Sequence, residues 1–327
     1  MTSNPNSPAR GELELIRRLR GLLGPRGPGG TEPRAQATGP GQPPIGFGDD
    51  MTLLDAGPPP LLWTVDMLMD GVDFDSTRHP WRAIGRKAMA VNLSDCAAMA
   101  VVPVAALCAV ALQNSLSMDD ALDLVHGAHE YGLTFQCPIV GGDTNSWDAP
   151  TVVSICIAAR CEPGGRPVGR NGARPGDRIW LTGRVGGSLL GRHMTFEPRV
   201  ATALQINRRL APHAMIDISD GLALDLARIL EASGCGAVLE EKALDAVIHP
   251  DADRLSTQDQ RTPRDHALQD GEDFELIVVL PADAPADECE RLQLLPLGTM
   301  VGEDGLWLAT SGGQREPIAI RGWEHFR

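Results

Sequence analysis

Aspartate recurs in this chain at the ends of apolar runs, usually beside Gly or Ser. The segments are Gly48-Asp49-Asp50, Val65-Asp66, Asn92-Leu93-Ser94-Asp95, Gly141-Gly142-Asp143 and Asp217-Ile218-Ser219-Asp220-Gly221. Carboxylates spread over strand ends in this way predict a layered fold whose strand ends converge on one acidic site. Such a site repels itself. Two carboxylates about 4 Å apart cost roughly 1 kcal/mol in water and about 4 kcal/mol at an effective dielectric of 20. Hard divalent cations with oxygen ligands remove that cost, and Mg²⁺ shared between carboxylates and substrate phosphates is a common arrangement. The pattern therefore points to a magnesium–nucleotide site.

A length of 327 residues allows two ordinary domains, and 43% hydrophobic residues supply a core. A formal net charge of −14 argues against a nucleic-acid surface. The seven Cys include no C-x-x-C pair. Cys96, Cys108, Cys156 and Cys235 sit in apolar or Gly-flanked stretches and read as buried small hydrophobes of a reducing compartment. No secretory leader stands out, and the longest apolar stretch, Cys96 to Leu112, is interrupted by Pro103 and falls short of a membrane span. The expectation is a cytoplasmic protein with neither a membrane nor a nucleic acid as partner.

Apolar spacing predicts an amphipathic helix over Gly11 to Leu23, and Gly and Pro predict a loop over Gly24 to Pro44. Strands are expected at Leu61–Val65, Val104–Leu112, Pro138–Val140 and Thr151–Ala159, with helices at Arg82–Met99 and Met118–Tyr131. The turn-rich stretch Glu162 to Asp177 reads as a domain junction. Beyond it, strands are expected at Arg178–Thr182, Met215–Ile218 and Phe274–Leu280, and helices at Pro198–Arg209 and Leu222–Ala232, the last closed by Gly234. The fold class is α+β, with two α/β-layered domains. The expected division is 1–44 for the helix and loop, 45–162 for an N-terminal domain and 163–327 for a C-terminal one.

Each motif also has an ordinary structural reading. Ser219 or Asp220 could simply N-cap the helix that follows, and Gly141-Gly142 could simply turn the chain. Asn92, Ser94 and Asp95 are more informative, because polar side chains in an otherwise apolar helix are costly without partners. A P-loop sequence is absent, as is a dinucleotide fingerprint or nucleophile elbow. His126 and His129 share a helix face and read as solvated, and Asp119, Asp120 and Asp123 read as the solvated start of that helix.

In order, Gly46-Phe47-Gly48-Asp49-Asp50, the helix from Lys87 to Asp95, Gly141 to Thr144, Asp217 to Leu222 and Gly271 to Leu276 resemble the motifs of thiamine-monophosphate kinases. The similarity extends from Gly11-Glu12-Leu13-Glu14-Leu15-Ile16 to Gly322-Trp323-Glu324-His325-Phe326. Synthetases for aminoimidazole ribotide and selenophosphate, and a hydrogenase-maturation enzyme, share that fold; the Gly271–Leu276 segment and Trp323 favour the thiamine branch.

The resemblance implies an aminoimidazole-ribotide-synthetase-like fold whose N-terminal sheet pairs into a homodimer. It implies ATP as co-substrate, several Mg²⁺ ions and thiamine monophosphate as acceptor. By position it assigns metal contacts to Asp50, Thr64, Val65, Asp66, Asp95, Asp143, Asp217 and Asp220. ATP contacts fall to Gly142, Asp143, Arg170 and Ser219, and acceptor contacts to Asp73, Glu272 and Trp323. No catalytic general base is implied, because an ionised phosphate oxygen is already a nucleophile.

Two positions depart from the family pattern. Val65 lacks a side-chain oxygen found in relatives, although its carbonyl remains. Asp73 replaces a His that contacts the substrate in relatives. These departures keep two further readings open: a phosphotransferase of the same fold with another acceptor, and a nucleotide-binding homologue without turnover.

Overall fold

The computed structural model describes residues 61–323. The expected Gly11–Leu23 helix, the Gly24–Pro44 loop, the Gly46–Asp50 motif with its metal candidate Asp50, and the Glu324–Phe326 end lie outside them. Contacts divide the chain into two compact units. The first runs up to Asn92 and resumes over Pro103–Arg160; the second comprises Leu93–Val102 and the chain from Cys161 onward.

In the first unit, β1 (Leu62–Met69) leads to α1 (Trp81–Ala98), β2 (Val102–Gln113), α2 (Met118–Thr134), β3 (Ile139–Trp147) and β4 (Val152–Arg160). The last turns of α1 and the first residue of β2 belong to the second unit. The sheet order is β1-β4-β2-β3, with β1 and β4 antiparallel and β2 and β3 parallel. Alternation sets the two faces. Val153, Ile155 and Ile157 of β4 are fully buried, while Trp63, Val65, Met67 and Met69 of β1 point outward.

The helices α1 and α2 touch backbone to backbone. A Cβ on Gly85 would overlap the Leu124 carbonyl, and one on Gly127 would overlap the Arg82 carbonyl. Ser117 caps α2 by accepting from the Asp120 N–H at 3.1 Å.

Three expectations change in this unit. Strand β1 does not stop at Asp66 but continues to Met69, paired along its length with β4. Gly141–Thr144 is not a turn but the interior of β3, paired with Leu107–Val110. The polar run Asp143–Ser146 hides the strand from any hydrophobic pattern, and Gly142 fits because a Cβ there would overlap the Cys108 carbonyl.

Of the two histidines, His126 is partly exposed among surface partners, and His129 departs from the solvated reading. His126 Nδ1 lies 2.8 Å from Arg82 and its Nε2 3.0 Å from Glu130. His129 Nδ1 accepts from the Ile139 N–H at 3.3 Å, and burial, followed by nearby His126, lowers its pKa to about 4.

The second unit holds β5 (Arg178–Leu181), α3 (Val200–Leu210), β6 (Ala214–Asp217), α4 (Leu222–Ser233) and β7 (Gly236–Glu240). Next come α5 (Glu241–Ala246), α6 (Pro250–Ser256), α7 (Pro263–Gln269), β8 (Leu276–Leu280), α8 (Ala286–Arg291), β9 (Leu295–Val301), β10 (Leu306–Ala309) and β11 (Arg315–Pro317). Seven strands form one sheet in the order β11-β10-β7-β9-β5-β8-β6. Its core packs Ile179, Leu181, Ile216, Ile277 and Val279 of the sheet against Leu222, Leu226 and Ile229 of α4. Gly234 closes α4 in a left-handed conformation, φ 66°.

Strand β8 begins at Leu276 rather than Phe274, because Glu272 and Phe274 adopt left-handed backbones, φ 60° and 52°. All seven cysteines are free. Cys156 is only half-buried, since it shares the outward face of the sheet with its β1 partner Val65. Among the described residues, no helix is long and apolar enough to cross a membrane.

Candidate functional site

The last residue of β6 is Asp217, 5% exposed. Its Oδ2 accepts from the Ser94 hydroxyl at 2.6 Å, and Ser94 is itself fully buried in α1. Asp95 is the next residue of that helix. Burial first, then the Asp95 charge, pushes the Asp217 carboxyl up to about 6; the Ser94 bond and the Arg170 charge pull in the opposite direction. The polar residues of α1 thus have partners, as their cost in an apolar helix requires.

The chain beyond Asp217 is held by the motif that ends at Leu276. Ile218 N–H donates to the Glu275 carbonyl at 2.8 Å, Glu272 N–H to the Ser219 carbonyl at 2.7 Å, and Phe274 N–H to the Ile218 carbonyl at 2.8 Å. A Cβ on Gly271 would crowd the Ser219 carbonyl, so the two segments meet closely. Trp323 N–H donates to the Asp220 carbonyl at 2.8 Å, and Gly322 packs so tightly there that a Cβ would overlap that carbonyl. The Trp323 ring is exposed. Ser219, Asp220, Glu272 and Trp323 are thereby neighbours, and the strained backbone of Glu272 belongs to this cluster.

The capping expectation needs correction. Neither Ser219 nor Asp220 caps α4; Gly221 stands at the N-cap, φ 121°, without a side-chain bond. The capping oxygen comes from inside the helix. Asp225 Oδ2 accepts from the Asp220 N–H at 2.9 Å and the Gly221 N–H at 3.0 Å. Arg228 bridges the carboxylates of Asp225 and Asp220. Asp225 is fully buried, and burial raises its carboxyl to about 7 against those contacts. An Asp inside the apolar run Leu222–Leu230 was the available sequence signal for this role.

Two other carboxylates escaped the sequence reading. Asp273 accepts from the Gly186 N–H at 2.8 Å and from Arg192 at 2.9 Å, and burial raises it to about 8. Glu275 accepts from Thr182 Oγ1 at 2.6 Å and pairs with Arg199. Within Gly271–Leu276, Asp273 and Glu275 anchor the 182–199 segment, whereas Glu272 meets the Ser219 carbonyl through its main-chain N–H.

The first unit carries the remaining described candidates other than Arg170, which belongs to the second. The Asp66 N–H donates to Asn92 Oδ1 at 3.0 Å, and its carbonyl accepts from Ser154 at 3.0 Å. Thr64 and Asp66 share one face of β1, and the Val65 side chain points to the other. Gly142 and Asp143 lie on β3, where Asp143 Oδ1 accepts from the Thr144 N–H at 2.9 Å. Strands β1 and β3 are the two edges of their sheet, so Asp66 and Asp143 stand three strand spacings apart, about 14 Å at ~4.8 Å each.

Asp73 sits in the loop after β1 and its Oδ2 accepts from the Met69 N–H at 2.7 Å. Arg170 is exposed, and its carbonyl accepts from Ser233 at 2.9 Å. Among the described residues, no three His, Cys, Asp or Glu side chains form a ready-made metal cage.

Fold and motifs together define a protein of the AIR-synthase-related class. The family described as AIR synthase related protein, N-terminal domain, matches residues 48–160. The hydrogenase maturation protein HypE of E. coli shares the fold, with TM-score 0.75 at 17% identity over 95% of this chain and 98% of that one. The thiamine-monophosphate kinase of Rhodopirellula baltica is 39% identical over 292 residues, 86% of this chain and 91% of its own length. That of Synechococcus elongatus is 30% identical over 85% and 91%. The solved structure of AaThiL complexed with AMPPCP and TMP matches with TM-score 0.70 at 25% identity, over 81% of this chain and 87% of that one. The chain belongs to the thiamine-monophosphate kinase family.

Proposed function

We propose that the chain transfers the γ-phosphoryl group of ATP directly, in line, to the phosphate of thiamine monophosphate, giving thiamine diphosphate and ADP. The observation that carries this reading is the 39% identity with a thiamine-monophosphate kinase over nearly the whole chain. The clustering of Ser94, Asp95, Asp217–Gly221 and Gly271–Phe274 supports it, as does a relative solved with AMPPCP and TMP.

Both reactants are anions, so the chain's task is to hold them against their repulsion. Asp217 fits a hard cation. It is a buried carboxylate whose charge is disfavoured by burial and by Asp95. Magnesium takes one or two carboxylates together with phosphate oxygens, so a cage of protein ligands is not required. Asp50, Thr64, Val65 through its carbonyl, Asp66, Asp95, Asp143, Asp217 and Asp220 would hold the metal ions. Magnesium, when bound, supplies the positive charge that neutralises a loose phosphoryl-transfer transition state. Gly142, Asp143, Arg170 and Ser219 would hold ATP, with Arg170 pairing phosphate oxygens. Asp73, Glu272 and Trp323 would hold the acceptor, the exposed indole stacking on a cationic thiazolium.

The test is direct: purified chain, ATP, Mg²⁺ and thiamine monophosphate should yield thiamine diphosphate and ADP. Absence of both products at saturating Mg²⁺ rejects the reading. An alternative rests on Asp73, which departs from the His that the family resemblance leads one to expect there. If ADP forms faster with another acceptor in a panel of phosphorylated and hydroxylated small molecules, that alternative takes over.

A pH dependence follows. A cation needs Asp217 ionised, and the folded pKa of this group, about 6, lies above its ordinary 3.8. Protons therefore compete with the metal as pH falls through about 6. The Mg²⁺ concentration for half-maximal rate should rise below that pH, approaching about tenfold per unit for one proton displaced. Raising Mg²⁺ should move the acid limb of the pH–rate profile downward. A limb that does not respond to Mg²⁺ would detach Asp217 from the metal.

We further infer a homodimer formed through the N-terminal sheet. On the edge strand β1, Trp63 is 59%, Val65 62%, Met67 60% and Met69 42% exposed, an apolar row too large to leave to water. Met67→Asp should convert the dimer to a monomer in light scattering coupled to size exclusion. A variant that stays dimeric would clear this face of the role.

A further inference from the structure

Lys87 is fully buried in α1, and its ammonium donates to the main-chain carbonyl of Asp73. A desolvated ammonium is costly unless its contacts serve the fold or the site, and a position needing only bulk would accept an apolar side chain at less cost. The loop it holds is already rigid within itself. Asp73 is doubly tied to Met69, its N–H donating to the Met69 carbonyl at 2.9 Å and its Oδ2 accepting from the Met69 N–H at 2.7 Å. Gly71 N–H donates to the Phe74 carbonyl at 2.7 Å, and Asp70 accepts from the Ser76 N–H at 2.9 Å. Phe74 is buried and meets the Trp81 ring edge-on, with centroids 6.2 Å apart. The loop is therefore a preformed body joined to α1 at Trp81 and at Lys87. The Lys87 tie falls on Asp73 itself.

We propose that Lys87 is a positioning residue for the acceptor: by fixing the Asp73 carbonyl it sets the direction in which residue 73 faces the substrate. The same helix holds the Asp66 backbone through Asn92 and the Asp217 carboxylate through Ser94, so Lys87 extends to the acceptor loop a function that α1 already performs for two site aspartates. The proposal rests on the reading that Asp73 borders the acceptor. It assigns to Lys87 an effect on acceptor affinity rather than on the transfer step.

Lys87→Met keeps length and volume and removes the donor; Lys87→Gln, which keeps a shorter donor, serves if the methionine variant does not fold. Two measurements decide. Amide exchange, read by mass spectrometry, should speed up over residues 69–76 and stay unchanged in peptides of the second unit. Steady-state kinetics should show the KM for thiamine monophosphate rising about tenfold, with kcat and the KM for ATP within about twofold of wild type. Unchanged exchange over 69–76, an unchanged acceptor KM, or a fall in kcat with both KM values altered together would each overturn the proposal. A wild-type chain that leaves thiamine monophosphate untouched would instead remove the functional reading. The exchange result would still decide whether Lys87 holds the loop.

Discussion

Replacing Asp217 with Asn is expected to abolish turnover while leaving the folded chain as stable as before, or more so. The side chain is buried, and its amide oxygen can still accept the Ser94 hydroxyl that Oδ2 accepts at 2.6 Å. What disappears is the charge. In the proposed mechanism that charge attracts a divalent cation, and its loss should lower kcat by about a thousandfold or more, several kcal/mol of transition-state stabilisation.

For stability the sign is opposite. The folded pKa of about 6 lies above the ordinary 3.8, so between those values the folded chain binds the extra proton. Stability is therefore lost as pH rises through that window, and the loss persists above it. Asparagine removes that loss, which is of the order of 1–3 kcal/mol at neutral pH without metal. Thermal unfolding in a chelator should show the variant melting at or above wild type at pH 7 and level with it near pH 4. Residual activity within tenfold of wild type, or a lower melting temperature at pH 7, would contradict the assignment.

The second large effect is on the fold. Gly85→Ala places a methyl group where the Leu124 carbonyl of α2 already is. The obstacle is main chain rather than a mobile side chain, so relief requires the helices to separate and the reciprocal contact of Gly127 with Arg82 to open. Overpacking of this kind costs about 3 kcal/mol or more. Helix α1 also carries Lys87, Asn92, Ser94 and Asp95, so its displacement should weaken activity in the fraction that remains folded. Gly71→Ala is a useful comparison, since nothing lies within 4 Å of a Cβ there and only its φ of 85° opposes the change. The expected order of melting temperatures is wild type, then Gly71→Ala, then Gly85→Ala well below. Equal melting of wild type and Gly85→Ala would show that the helix crossing is looser than its geometry implies.

The alternation of strands and helices was legible because its signal is hydrophobic period, and period survives wherever one face is buried. Helix α1 was legible for a further reason: Asn92 and Ser94 are too polar for their surroundings, and their partners are Asp66 and Asp217. The reading failed where backbone geometry decides. Strand β3 continues through Gly141–Trp147 on ladder bonds alone, with side chains that carry no strand pattern. The start of α4 is capped from within by Asp225, a contact that depends on the left-handed turn at Gly221 and not on which polar residue precedes the helix.

Charge bookkeeping failed for a related reason. His129 is an acceptor for a distant N–H, and Asp273 and Glu275 serve a loop some eighty residues earlier in the chain. No local pattern encodes such long-range partners. Glu272 precedes both, and its backbone, at positive φ, brings its N–H to the Ser219 carbonyl, so the carboxylates of one short motif start from different main-chain settings.

The ten residues Leu93–Val102, which belong physically to the second unit although they interrupt the first in sequence, have a consequence for any attempt to cut or recombine the chain. A fragment opened at Cys161 would carry Asp217 without Ser94 and Asp95, and so would display a bare carboxylate in an unsealed gap. Exchange of halves between relatives would have to transplant that internal decapeptide together with the distal portion.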